Sequence, residues 1–178
     1  MIKITVRIGL TVMAVACISM VGCRKAEEKT YEGKTESEWV RLSKDAEWFT
    51  RQRALEPLAE LGRVDVLDSA ARAEGNPHYR YIIGIKIFLC PTASKNDRQN
   101  ALDYMSGYLQ QDQDSDTMYL IGLDDFTKMV KSHPADCKPL LPVLKRGKEV
   151  QQKYFAGSWQ RPSMADRWQE LIDLVERE

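Results

Sequence analysis

RQRALEPLAELG, residues 51–62, is the stretch on which the fold turns. Ala54, Leu58 and Leu61 recur at intervals of four and three, the spacing that lines one face of an α-helix. Gly62 follows where a helix closes with a left-handed residue. The same spacing continues outward in both directions. Upstream, Trp39 and Leu42 mark a short first helix. Downstream, Val64, Leu67, Ala70 and Ala71 mark an element that stops at Gly75-Asn76-Pro77, and Ala101, Met105, Tyr108 and Leu109 mark another. Tyr119, Leu123, Phe126 and Val130 form the next stripe, with Asp116 placed to cap it. Met164, Trp168, Leu171, Ile172 and Val175 form the last, opened by Ser163 with Asp166 three residues on, a capping-box spacing. The chain reads as all-α.

One segment admits two readings. Residues 79–89 (YRYIIGIKIFL) are apolar on nearly every side, and Tyr79, Tyr81, Ile83, Ile85, Ile87 and Leu89 alternate as a strand would. Pro77 favours a helix start, because a first-turn proline forfeits no hydrogen bond. A helix apolar all round is sound at the centre of a stack. Helix is the reading taken, with strand as the alternative.

Asp45-Ala46-Glu47, followed by Arg51 to Gly62 with Ala54 and Leu58 between them, resembles a HEAT-like helical repeat. Asn76-Pro77-His78-Tyr79-Arg80 is similar to the turn and arginine of a second unit, with Ile83 and Gly84 where the pattern has alanine. Gly147-Lys148-Glu149-Val150-Gln151 is loosely similar to a third, with residues 138–144 (KPLLPVL) in the place of its first helix. The resemblance covers roughly residues 35–159. It implies a short α-solenoid of about four hairpins plus a C-terminal helix, in which stacking neighbours create the core. It also implies that Arg51 or Arg53 ties back to the Asp45 turn.

The front of the chain is of a different character. Residues 1–7 carry Lys3 and Arg7 and no acid, and residues 8–22 (IGLTVMAVACISMVG) are fifteen residues without a charge. A short basic region before such a run is the layout of a secretory signal, and the run falls short of the ~20 residues of a membrane-crossing helix. Met20-Val21-Gly22-Cys23 resembles a bacterial lipobox, with Met20 where leucine is usual. Ala14-Val15-Ala16-Cys17 is a competing site that leaves a shorter apolar run. The resemblance implies cleavage before Cys23 and acylation of its thiol and new amino group. The division expected is a signal peptide at 1–22, the lipidated cysteine with a polar tether at 23–34, and a helical domain at 35–178. The protein would then sit in the cell envelope, anchored through lipid on Cys23 and facing the periplasm or the outside.

Composition narrows the functional classes. The chain of 178 residues holds 26 basic and 26 acidic side chains. Lys3 and Arg7 leave with the signal, so residues 23–178 carry 24 basic against 26 acidic groups, a formal charge of −2. That balance argues against nucleic acid as a partner, which calls for a basic excess on one face. Hydrophobic residues make up 43% of the chain and recur at regular spacing, which argues against disorder throughout.

No catalytic, cofactor or metal motif emerges. Gly33-Lys34-Thr35 looks like the tail of a phosphate loop, but Glu28 stands where that loop needs glycine. Asp112-Gln113-Asp114-Ser115-Asp116 opens like a calcium loop, yet Thr117 replaces the turn glycine and Leu123 the bidentate glutamate. It reads better as an acidic loop capping a helix. His78 and His133 each adjoin a proline in a turn, and His133 with Cys137 makes two metal ligands where a site needs more.

Cys90 and Cys137 are a candidate disulfide pair in an exported protein. A regular stack would set them two interhelix steps of roughly 8–10 Å apart, beyond the ~7 Å that a disulfide spans. Trp39 and Trp168 fall on apolar stripes and read as core. Trp159, before Gln160-Arg161-Pro162, is the candidate exposed partner contact, together with Arg161. Three functional classes follow: an interaction or scaffold module binding another envelope protein, which leads; an enzyme or accessory subunit using Asp124 and Asp125; and a carrier of a small apolar ligand walled by residues 82–89.

Overall fold

The computed structural model describes residues 28–111, 123–155 and 162–178. The signal segment 1–22, Cys23, the acidic stretch 112–116, Tyr119, and Trp159 with Arg161 lie outside the described residues. In chain order the described residues form a hairpin of β1 (Thr30–Tyr31) and β2 (Lys34–Thr35), then α1 (Glu36–Leu42), α2 (Trp48–Glu60), α3 (Val64–Ala73), α4 (Pro77–Leu89) and α5 (Lys95–Gln111). After the undescribed stretch come α6 (Leu123–Ser132), a 3-10 helix (Ala135–Leu140), α7 (Leu141–Phe155) and α8 (Pro162–Glu176). The all-α class holds, since the hairpin is the one sheet among the described residues.

The ends of these helices follow from local chemistry. Thr35 caps α1: its hydroxyl accepts from Glu38 N at 3.3 Å, while the Glu38 carboxylate accepts from Thr35 N at 2.8 Å, a reciprocal capping box. At the end of α2, Gly62 adopts φ +78°. Its N–H reaches Ala59 O at 3.0 Å and the next N–H, of Arg63, reaches Leu58 O at 2.8 Å, the two bonds of a Schellman closure. Asn76 caps α4 by accepting from His78 N at 2.9 Å, with Pro77 in the first turn. Ser94 and Asp97 form a further box that opens α5.

Residues 79–89 are helical, and the reason is tertiary. The helix α4 touches α2, α3, α5 and α6, so nearly every side of it is covered. Ile83, Ile85, Ile87 and Phe88 are all buried, which takes in odd and even positions alike. A strand covered on one face would bury one parity only. Gly84 lets α5 approach: a Cβ there would stand 2.8 Å from Met105 Cγ and 2.9 Å from Ala101 O.

The first six helices lie in two layers. Helices α2, α4 and α6 are neighbours in one, and α3 lies beside α5 in the other, with α1 packed on α2. Arginine recurs at one place in this pattern. Arg51, Arg80 and Arg98 are each the fourth residue of their helix. Arg51 donates to Asp45 O at 2.9 Å and Ala46 O at 2.7 Å, Arg80 to Glu74 O at 3.1 Å, and Arg98 to Ala93 O at 2.7 Å. Each thus satisfies carbonyls of the turn it has just left. Of the two arginines expected to tie back to the Asp45 turn, Arg51 does so.

The C-terminal part departs from the expected third hairpin. The stretch from Gly147 to Gln151 lies inside the continuous helix α7, and 138–144 runs from the 3-10 helix directly into it. Gly147 serves packing and makes no turn. A Cβ on it would stand 2.8 Å from three ring atoms of Trp168. Trp168, fully buried, packs against Phe126 with ring centroids 5.7 Å apart and joins α8 to α6 and α7. Helix α8 begins at Pro162, one residue before the expected cap Ser163.

The polar stretch before residue 35 also gains structure. Glu32 and Gly33 both take positive φ, 49° and 74°, so they form a two-residue hairpin turn that pairs Tyr31 with Lys34. Gly33-Lys34-Thr35 is therefore turn, strand and helix cap. The hairpin is bound to α1: Trp39 Nε1 donates to Tyr31 O at 3.0 Å, Glu36 N to Lys29 O at 2.9 Å, and Ser37 N to the Glu28 carboxylate.

Candidate functional site

Helices α1 and α3 leave a cleft between them, floored by α2 and α4. Its volume is about 730 Å³, and it is open to solvent. Val40, Leu55, Val66, Ala70 and Ile83 form its apolar wall. The rim is charged at both ends, with Arg63 and Asp65 at one and Asp45, Arg51 and Glu74 at the other.

Both rim ends are internally braced. Glu74 receives two arginines: Arg51 reaches its carboxylate at 3.2 Å, and Arg80 its backbone carbonyl. The carboxylate and guanidinium keep only 13% and 26% of their side-chain surface, so the pair is half withdrawn from water. At the opposite end Arg63 bridges Glu36 and Asp65. The hydrogen bonds from Arg63 hold the Asp65 carboxyl below the usual range, against a smaller opposing push from burial.

Beside the Glu74 end stands an aromatic edge. Trp48 stacks on Tyr79 with centroids 3.7 Å apart and planes 9° from parallel, and Arg51 lies over the Trp48 ring at 5.5 Å. His78 packs edge-on to Tyr108 at 5.0 Å, and Tyr108 meets Tyr81 at 5.1 Å. Phe49 projects from this edge with 75% of its surface exposed. An exposed phenyl beside a stacked indole and a braced arginine is the composition of interface anchors. A shallower groove of about 480 Å³ crosses α2, α4 and α6, lined by Glu56, Glu60, Lys86, Lys128 and Lys131, with Lys86 paired to Glu56.

The residues singled out from sequence fare differently. Cys90 and Cys137 are separate, buried thiols. Cys90 donates to Ala59 O at 3.2 Å, and burial pushes the Cys137 thiol up to about 12. Cys137 therefore lacks the character of a reactive thiolate at neutral pH. Asp124 is exposed and pairs with Arg167 at 3.0 Å, and Asp125 lies elsewhere on α6 than the cleft. Of residues 82–89, only Ile83 lines the cleft; the others meet protein or the opposite face. The Ser43 hydroxyl, at the cleft, is spent on Val40 O at 2.8 Å. His78 is exposed, whereas His133 is half-buried against Phe88, its ring 5.9 Å from the phenyl. Among the described residues, no three His, Cys, Asp or Glu side chains gather as a metal site, and no helix is long and apolar enough to cross a membrane.

The aromatic edge was not foreseen. One signal for it was available: Trp48 and Phe49 are adjacent at a helix start, about 100° apart on the helix wheel, so both cannot face one core. No protein family, curated protein or solved structure matches this chain.

Proposed function

We propose that this chain is a lipid-anchored protein of the bacterial cell envelope, and that its helical body is a protein–protein interaction module. The partner would lie in the cleft between α1 and α3 and rest on the aromatic edge around Phe49. The observation that carries this reading is that edge: an exposed phenylalanine next to a Trp48–Tyr79 stack and an open cleft with an apolar wall. An apolar patch left exposed on a folded domain costs solubility and is retained where something binds it.

A HEAT-like architecture for residues 35–111 supports the same reading, because stacked hairpins present extended grooves. Its support is the arginine at the fourth position of α2, α4 and α5, each tied to the turn before its helix, together with the two-layer order of α1 to α5. Attachment through Cys23 is read from the lipobox-like Met20-Val21-Gly22-Cys23.

Two measurements test the proposal in cells. Metabolic labelling with an alkyne fatty acid should mark the chain, and Cys23→Ala should abolish the label. A photoreactive amino acid at Phe49 should crosslink one discrete envelope protein, while the same residue at Tyr154, exposed on α7, should not. Equal crosslinking at both positions would remove the assignment of this edge.

A further inference from the structure

The bonds of the β1–β2 hairpin to α1 leave a short connection to the anchoring cysteine. Glu28 already accepts from Ser37 N, so only residues 24–27 separate Cys23 from the folded body. Five residue steps span at most about 17 Å when fully extended. The hairpin lies at one particular edge of the stack. Glu36, at the start of α1, pairs with Arg63 in the junction after α2, and Gly62 in that junction accepts a bond from Thr92 at 2.9 Å. The hairpin, the 61–63 junction and the 90–94 turn therefore share an edge, where α2 and α4 end and α3 and α5 begin. Phe49, Trp48 and Tyr79 lie at the other ends of α2 and α4. The 13 residues of α2 put about 20 Å between the two edges.

We propose that the edge formed by the hairpin, the 61–63 junction and the 90–94 turn is apposed to the phospholipid headgroups, and that the aromatic edge points away from the bilayer. This rests on the reading that Cys23 carries lipid. A connection of 17 Å cannot invert a body whose helices are 20 Å long, because inversion would lift Glu28 beyond its reach. The cleft runs between the two edges, from Arg63 and Asp65 to Glu74 and Asp45. Its Arg63 end, with the Glu36–Arg63–Asp65 bridges, faces the membrane. The Glu74 end faces the aqueous side. The partner is thus a water-exposed protein segment entering from beyond the bilayer surface, and not a membrane-embedded one.

The test uses the full chain, lipidated in a bacterial host and reconstituted into phosphatidylcholine–phosphatidylglycerol vesicles with a headgroup-attached quencher. A fluorophore is placed on Lys34→Cys, Lys95→Cys, Lys44→Cys or Phe49→Cys, all exposed positions. The unsubstituted chain serves as the labelling blank, since Cys90 and Cys137 are buried. The separation along α2 sets the expectation: quenching at 34 and 95 at least about twofold stronger than at 44 and 49. Equal or reversed quenching in vesicle-bound protein overturns the orientation while leaving the anchor intact. Mass spectrometry of the vesicle-bound chain that finds Cys23 without lipid overturns the anchor, and the orientation with it.

Discussion

The two ends of this molecule are held by different means. From α1 to α5, polar groups staple the helix ends: arginine at the fourth position of α2, α4 and α5 returns to the preceding turn, and Glu74 joins two of these staples. The core between them is shared among many side chains, Trp39, Tyr81 and Phe88 as well as aliphatics, with Gly84 bringing α4 and α5 close. From α6 to α8 a single indole takes over. Trp168 fills the space between three helices against the notch at Gly147, and its Nε1 has no hydrogen-bond partner among the described residues. Redundant polar staples lose stability in small steps, whereas one large buried ring concentrates it at one place.

The largest expected effect follows at that ring. Trp168→Ala should cost about 3–5 kcal/mol by urea denaturation, the range for deleting a buried aromatic. Because its Nε1 is unpaired, Trp168→Phe should cost far less than Trp168→Ala, since it loses volume without orphaning a partner. Equal losses in the two variants would show that the indole nitrogen matters and erase the contrast. Next comes the glycine contact of the first region: Gly84→Val should lose about 1–3 kcal/mol through overpacking against Met105 and the Ala101 carbonyl.

The staples come third. Arg51→Ala should cost about 1–2 kcal/mol, because two carbonyls and the half-buried Glu74 lose their donor while water recovers part of the loss. Arg51→Lys should not restore it, since an ammonium cannot bond two carbonyls and a carboxylate in one plane. Full rescue by lysine would mean that charge alone acts there.

The smallest effect is a pH dependence at the seam between the regions. Burial, followed by the nearby Arg98 cation, lowers the pKa of His133, with Asp136 opposing. The folded state then binds this proton less readily than the unfolded chain. Its contribution is fully present above the unfolded value near 6.5 and is lost as pH falls through the lower folded value. Denaturation midpoints measured from pH 7.5 to 5 should fall, and His133→Gln should flatten that slope. An unchanged slope would assign the acid sensitivity to carboxylates such as Asp65, whose lowered pKa acts in a more acidic window.

Legibility followed the range of the interactions. The stripe of Ala54, Leu58 and Leu61 closed by Gly62 could be read in full, because spacing and cap both lie within one helix. The tie to the Asp45 turn was legible only as what the HEAT-like resemblance implies, for Arg51 or Arg53, and the structure assigns it to Arg51 across six residues. The hairpin at 30–35 was missed: Gly33 suits a positive φ but Glu32 is not a usual residue there, and the strands are only two residues each and depend on α1 for support. The third hairpin was misread because Gly147 looks like punctuation in sequence and acts as a notch for Trp168, which lies 21 residues away. The aromatic edge joins Trp48 to Tyr79 and His78 to Tyr108, pairs about thirty residues apart that no local pattern couples.

By itself, then, the order of side chains determined that this body is helical and where most of its helices begin and end, because backbone hydrogen bonding, capping and amphipathic spacing act over three to six residues. Tertiary contact alone decided that residues 141–155 run unbroken and which aromatics remain in water, and it settled for residues 79–89 the helix that the sequence already favoured over a strand. Those outcomes depend on which surfaces meet after the chain has folded back on itself, and burial is settled by the neighbours a side chain finds there.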